Sequence, residues 1–264
     1  MRALFFCISL LLLVAPAEAQ PIEVDVELAL MVDVSRSMGP HELEIQRRGY
    51  AEAIASDEVV KVILNSFTGT IAVTYVEWAG RHLQRTVIPW TVIDSRASAE
   101  AVAARLTADF DISMRRTSIS GAIEYAQFDI ETNGFNGLRK VIDLSGDGPN
   151  NDGIPVTEAR DAALAAGIVI NGLPLMTEDS TSRWGIDDLD EYYRVCVVGG
   201  PGAFVIPVLT WDDFPSAVRR KLVLELVGPP EVLFVQGRTG RTETGYDCQI
   251  GEKMRRAREN GALP

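Results

Sequence analysis

The stretch that decides the fold is "VDVELALMVDVSRSMGP", residues 24–40. From Leu28 to Val32 every position is apolar, which is typical of a central parallel strand covered by helices on both faces. The strand ends at Asp33, and proline at position 40 favours the first turn of a helix. We therefore predict a buried strand, a short polar loop and a helix that runs to about Ser56.

Short apolar stretches alternate with helical patterns along the rest of the chain. Strands are predicted at residues 70–80, 82–90, 139–148, 168–175 and 202–210, the second being the antiparallel partner of the first. Helices are predicted at residues 98–110, 118–130, 157–167 and 212–226. This order predicts an α/β fold, Rossmann-like and doubly wound, with a mostly parallel sheet, one antiparallel edge strand and helices on both faces.

The N-terminus has the features of a secretory signal peptide. Residues 1–19 contain an early arginine, an apolar stretch and the small-residue pattern Ala17-Glu18-Ala19. A membrane anchor is the alternative, but the apolar stretch is short for a span. We expect an exported protein, periplasmic or secreted, with no membrane span after the signal is removed.

The folded domain is predicted to occupy residues 23–227. Within it, residues 177–202 form an acidic insertion that interrupts the alternation of strands and helices. Its aromatic residues form a contact surface or, as is more common, pack the insertion onto the domain; they are Trp184, Tyr192 and Tyr193. Residues 228–264 are predicted to be a partly flexible C-terminal tail.

Charge and cysteine content restrict the functions available to the chain. The net charge of -12 argues against nucleic acid or an anionic membrane surface as a partner and is compatible with a bound cation. Outside the signal peptide only Cys196 and Cys248 remain. In an oxidising compartment these two predict one disulfide between insertion and tail, with two free thiols as the alternative.

Polar side chains follow two of the predicted buried strands. Asp33, Ser35 and Ser37 alternate after the first strand, so they face the same side. Asp147 ends a second strand, and Thr117 comes just before a helix. Because ligands bind beyond the carboxyl ends of parallel strands, these oxygen groups predict a site for a hard cation such as Mg²⁺.

This set of residues resembles the metal-ion-dependent adhesion site of von Willebrand factor A domains. The resemblance implies that Ser35 and Ser37 bind the metal directly, that Thr117 binds directly or through water, and that Asp33 and Asp147 often act through water. It implies Mg²⁺, or Mn²⁺ or Ca²⁺, as cofactor, and a partner protein with an exposed Asp or Glu. The segments "DLSGDGPNNDG" and "CVVGGPGAF" resemble a bacterial group of these domains with no assigned function.

One position departs from the family pattern. Arg116 stands where a glycine commonly precedes the threonine, which leaves Ser118 as a substitute ligand. Arg116 and Arg115 attract an acidic partner or form a solvated surface pair. Asp143 is either a strand residue whose carboxylate is paired within the fold or a residue that contacts the metal ligands without binding the metal itself.

The resemblance favours a binding domain over an enzyme. A serine hydrolase needs a nucleophile with a base, yet the chain has only His41 and His82, which we expect on the surface. A metal-assisted hydrolase therefore lacks an evident general base. A structural domain with an unoccupied site is the third reading.

Overall fold

A single mixed sheet organises the protein, as seen in a computed structural model that describes residues 20–108, 114–177, 185–228 and 245–261. Its strand order is β3-β2-β1-β4-β5, with β3 antiparallel and the others parallel. The strands are β1 Ile22–Asp33, β2 Ile71–Trp78, β3 Gln84–Ile93, β4 Phe135–Gly146 and β5 Ile168–Pro174. The predicted parallel sheet with one antiparallel edge strand is confirmed.

Helices cover both faces of this sheet. They are α1 Pro40–Ile54, α2 Asp57–Leu64, α3 Arg96–Leu106, α4 Ile119–Thr132, α5 Val156–Ala165, α6 Leu189–Tyr192, α7 Phe214–Val227 and α8 Ile250–Glu259, with one π-helical turn at Tyr193–Val197. On β1, Leu28 and Leu30 pack in the core on one face and Ala29 and Met31 in the core on the other. Burial on both faces explains the unbroken apolar pattern of β1.

Helix α2 was not predicted from the sequence. The helix that begins at Pro40 ends at Ile54, and Ser56 caps the next helix by accepting a hydrogen bond from the Val59 backbone N–H at 3.3 Å. A serine followed by two acidic residues is a helix start, and here it separates two helices only two residues apart. The predicted end of the first helix at about Ser56 lies two residues beyond the observed end at Ile54, and no prediction covered α2.

The predicted strand at 202–210 was wrong. This segment runs beside β5 and makes isolated parallel bridges, Val205 with Gly172 and Val208 with Leu175, without forming a continuous ladder. The Ile206 and Val208 backbone N–H groups donate to the Gly172 and Pro174 carbonyls at 3.0 and 2.9 Å. The segment thus covers the edge of the sheet through separate bonds and not as a sixth strand.

Three ionisable groups are buried together between α7 and the sheet. Lys221 Nζ lies 2.6 Å from Asp143 Oδ1 and also contacts the Glu225 carboxylate, and all three residues are 0% exposed. Asn171 Nδ2 donates to Glu225 Oε1 at 3.0 Å. Burial and the nearby Asp143 charge raise the pKa of Glu225 to about 8. Asp143 is thus a paired strand residue that joins the sheet to α7.

The C-terminal part of the chain is fastened to the domain by a disulfide. Cys196 and Cys248 are bonded, with their Cα atoms 5.5 Å apart, so the predicted pairing is confirmed. The bond joins the π-helical turn to the residues just before α8. None of the helices in the described ranges is long and apolar enough to cross a membrane.

Candidate metal site

The end of β1 and the loop that follows it bring together the Asp33 carboxylate and the hydroxyls of Ser35 and Ser37. The Ser35 backbone N–H donates to Asp33 Oδ1 at 2.7 Å, and the hydroxyl oxygens of Ser35 and Ser37 lie 2.9 Å apart. Gln46 of α1 donates to the Asp33 carbonyl at 3.1 Å. These bonds hold the end of β1 against the helix that follows it.

Strand β4 brings the second carboxylate to the same place. β1 and β4 are parallel neighbours, with Val32 opposite Ser145, so their carboxyl ends coincide. Ser37 Oγ donates to Asp147 Oδ1 at 2.8 Å. A side chain at Gly146 would place a Cβ 3.0 Å from Asp33 Oδ2, so glycine is needed for this close approach.

The loop before α4 presents Thr117 between these two strand ends. The Met114 backbone N–H donates to the Val34 carbonyl at 2.8 Å, which fastens the loop to β1. Thr117 N–H donates to Asn151 Oδ1 at 3.1 Å, and the Asn151 N–H donates back to the Thr117 carbonyl at 2.9 Å. The loop after β4 therefore positions Thr117 as well as Asp147.

Arg116 adopts the backbone conformation that glycine favours. Its φ is 73°, in the left-handed region, so the backbone before Thr117 has the conformation that a glycine would adopt there. The Ser118 hydroxyl is already used, since it accepts from the Gly121 N–H at 3.1 Å and donates to the Asp152 carbonyl at 2.8 Å. Ser118 thus caps α4, and Thr117 is the hydroxyl residue of this loop that lines the cleft.

The carboxyl groups of Asp33 and Asp147 are buried close together, and the pKa of each is raised. Asp33 is 0% and Asp147 is 3% exposed, and the Oδ2 atom of each is buried without a hydrogen-bond partner among the described residues. Burial raises the pKa of Asp33 well above its ordinary value, and the Asp147 charge raises it further. Burial, with a contribution from the Glu42 charge, raises the pKa of Asp147 to about 6. Two carboxyl oxygens without partners beside three hydroxyl residues fit a cation, because a nearby positive charge would favour the ionised form of both groups.

A cleft of about 400 Å³ opens above these groups. Ser35, Ser37 and Thr117 contribute to its lining. The remaining lining residues are mostly basic: Arg36, Arg115, Arg116, Asn151, Arg255 and Glu259. Within the described ranges no three His, Cys, Asp or Glu residues form a metal-binding cluster, so the candidate set depends on hydroxyl oxygens.

Sequence reasoning missed several residues that support the site. The side chain of Asn150 accepts from the Ser120 backbone N–H at 3.0 Å, and the Asn150 backbone N–H donates to the Tyr192 hydroxyl at 3.1 Å. A Cβ at position 146 would lie 2.8 Å from the Tyr193 hydroxyl, so this tyrosine packs behind the carboxylates. The two tyrosines are buried, as packing of the insertion predicts, and Trp184 lies outside the described residues.

Residues 23–230 match a protein family described as "Protein of unknown function (DUF1194)". The chain belongs to this family. A comparison with curated proteins found no similar sequence. The match ends before α8, so the DUF1194 region contains the sheet and the candidate site but not the C-terminal helix.

Solved structures show what fold this DUF1194 chain has. The pilus adhesin SpaC of Lactobacillus rhamnosus GG is 12% identical, with a TM-score of 0.55 over 79% of this chain and 31% of its own. Proximal thread matrix protein 1 of the mussel byssus, with a zinc-occupied MIDAS motif, is 14% identical, with a TM-score of 0.53 over 79% and 49%. A von Willebrand factor type A protein from Catenulispora acidiphila is 15% identical, with a TM-score of 0.51 over 77% and 43%.

These likenesses identify the fold as von Willebrand factor A-like. The chain spans between about a third and a half of the length of the three solved chains it resembles.

Proposed function

We propose that this protein is an exported, divalent-cation-dependent binding domain that captures an acidic side chain of a partner protein. The observation that carries the proposal is the pair of buried carboxylates with unpartnered oxygens, Asp33 and Asp147, beneath a cleft lined by hydroxyl residues. A buried carboxylate without a partner is costly, and a cation offsets that cost. The von Willebrand factor A-like fold supports the same assignment.

Each residue of the proposed site has a distinct role. Ser35, Ser37 and Thr117 would hold the cation through neutral oxygens, and Asp33 and Asp147 would balance its charge. Bound Mg²⁺, Mn²⁺ or Ca²⁺ would supply an electrophilic centre that accepts one further anionic oxygen. Neutral ligands leave more of the positive charge available to that oxygen than carboxylate ligands would.

The surroundings of the cleft favour binding of an acid over catalysis. Arg115 and Arg116 line it and are available to attract a carboxylate despite the net charge of -12. His41 and His82 are both exposed, on α1 and in the β2–β3 hairpin, and neither lines the cleft. No histidine therefore stands at the site to activate water, which separates this proposal from a metal-assisted hydrolase.

The proposed export agrees with the signal-peptide pattern and with the disulfide, because disulfides persist in oxidising compartments. The two classes of function are tested together. The purified protein is used as bait for exported proteins in Mg²⁺ and in EDTA, and each captured protein is retested with its acidic residues changed to amides. Hydrolysis of ester, phosphate and peptide substrates is assayed in parallel.

We expect capture only in Mg²⁺, loss of capture in Thr117→Ala, and no turnover. Thr86→Ala is the control, because Thr86 is exposed on β3 and its hydroxyl is hydrogen-bonded to the Tyr125 hydroxyl, away from the cleft. A partner held equally well in EDTA contradicts the proposal. Turnover that disappears in Asp33→Ala favours the hydrolase.

A further inference from the structure

The C-terminal helix α8 forms one wall of the candidate site. Arg255 and Glu259 of this helix line the same cleft as Ser35, Ser37 and Thr117. The helix follows the region that matches the family. The cleft is thus built from the loops of the sheet on one side and from the C-terminus on the other.

Helix α8 is held in a defined position against the loop after β4. A Cβ at Gly251 would lie 2.2 Å from the Asn150 carbonyl oxygen, so glycine allows the helix to touch the loop backbone. Asn150 Nδ2 donates to Glu252 Oε1 at 2.7 Å, and Arg255 donates to Asp152 Oδ1 at 2.9 Å. The Cys196–Cys248 bond fixes the chain two residues before the helix begins.

The wall of the cleft carries an excess of positive charge in a protein that is acidic overall. Four arginines line it: Arg36, Arg115, Arg116 and Arg255. Arg116 and Arg255 share one carboxylate, Asp152, whose pKa is lowered by hydrogen bonds from the Arg81 backbone and from both guanidinium groups, which outweigh its partial burial. Arg255 Nε also lies 3.7 Å from Glu259 Oε1. Each guanidinium group has five N–H donors, so the two groups keep donors for a further anion beside these two carboxylates.

The cleft also has more room than a single carboxylate needs. A volume of about 400 Å³ lies within the range of sites that enclose a small ligand or a short peptide segment. The hydroxyl residues mark one place for an acidic group, and the arginines offer a second. A partner with one isolated carboxylate would leave the arginine wall unused.

We propose that the cleft binds an acidic peptide segment through two carboxylates, one at the cation between the serines and Thr117 and the other on the arginine wall that Arg255 completes. The first contact rests on the proposed function, and the second belongs to this inference. Because the disulfide tethers α8, binding of the second carboxylate requires the Cys196–Cys248 bond. The cation site itself does not include any atom of the tail.

The test uses a fluorescent tetra-aspartate peptide, a matched peptide with a single aspartate among glycines, and Mg²⁺ alone as a third probe. Peptide affinity is measured by fluorescence polarisation, and the ion site is monitored by the rise in melting temperature on adding Mg²⁺. Arg255→Gln is compared with Arg256→Gln, which removes the same charge from an exposed position of the same helix outside the cleft. A Cys196→Ser, Cys248→Ser variant tests the tether.

We expect wild type to bind tetra-aspartate more tightly than the single-aspartate peptide. Arg255→Gln and the cysteine variant should each lower the affinity for tetra-aspartate by about tenfold or more. Arg256→Gln should bind as wild type does. Equal affinity of the two arginine variants, or no binding of tetra-aspartate by wild type in Mg²⁺, overturns the inference. If the inference is overturned in this way but Mg²⁺ still raises the melting temperature, the proposed cation site stands. If Mg²⁺ has no effect and the peptide binds equally in EDTA, the proposed function fails instead.

Discussion

Removal of the Ser37 hydroxyl is the sharpest perturbation of the candidate cation site. This hydroxyl lies between the other two groups, 2.9 Å from Ser35 Oγ and 2.8 Å from Asp147 Oδ1. Without a cation, Ser37→Ala loses one hydrogen bond to a carboxylate, which contributes about 1.5–3 kcal/mol to the free energy of unfolding. With a cation, the variant would also lose one of the proposed direct ligands.

The two losses are separated by measuring melting temperature in EDTA and in millimolar Mg²⁺. A ligand at a hundred times its Kd stabilises the native state by about 2.7 kcal/mol. For a chain of this length each kcal/mol shifts the melting temperature by about 2–4 °C, so wild type should gain roughly 5–10 °C on adding Mg²⁺. Ser37→Ala should melt lower than wild type in EDTA and should gain nothing from Mg²⁺.

A matched serine distinguishes loss of a ligand from general destabilisation. Ser98 is a partly buried serine of α3 whose hydroxyl also bonds to a neighbouring serine, Ser95, at 3.0 Å. Ser98→Ala should lower the melting temperature in EDTA and keep the full response to Mg²⁺. An equal response to Mg²⁺ in wild type, Ser37→Ala and Ser98→Ala would refute the reasoning.

Three further predictions concern the support of the site. Gly146→Ala should lower stability by about 1–3 kcal/mol, because its Cβ meets the buried tyrosine and aspartate oxygens, and should reduce the melting response to Mg²⁺. Because the pKa of Glu225 is raised, the folded state keeps a proton on this residue from about pH 4.5 to about pH 8, so the free energy of unfolding falls as pH rises through that interval. In Glu225→Gln, the free energy of unfolding measured in urea should change less across the same interval. An unchanged slope would mean that the proton is held by another group. Serine at both Cys196 and Cys248 should make the tail sensitive to limited proteolysis while leaving the Mg²⁺ response of the domain intact, and resistance equal to wild type would contradict the tethering role.

The residues of the candidate site were predictable because they follow buried strands. The unbroken apolar pattern before Asp33 identifies a central strand, and neighbouring parallel strands end at the same edge. The meeting of Asp33, Ser37 and Asp147 follows from those two rules. The pairing of the two late cysteines followed from their number and from the oxidising compartment that the signal-peptide pattern implies.

Helix α2 was missed although Ser56 followed by two acidic residues is a local signal for a helix start. Other features depended on contacts that no local pattern encodes. The segment at 202–210 has the composition of a strand, but it pairs with β5 through isolated bridges and forms no regular ladder. The position of α8 at the cleft depends on a disulfide, a close contact at Gly251 and side-chain bonds to the loop after β4, all between residues far apart in the chain.

Both lateral edges of the sheet carry a proline. Pro89 lies within β3 on one side, and Pro207 lies in the segment that covers β5 on the other. Exposed edges are where sheets of separate molecules add strands to one another, and proline interrupts the row of donors which that addition requires. One proline at each edge therefore disfavours polymerisation of the domain edge to edge. The proposed cation site lies at the loops beyond the ends of the strands, so binding of a partner there needs no pairing of sheet edges.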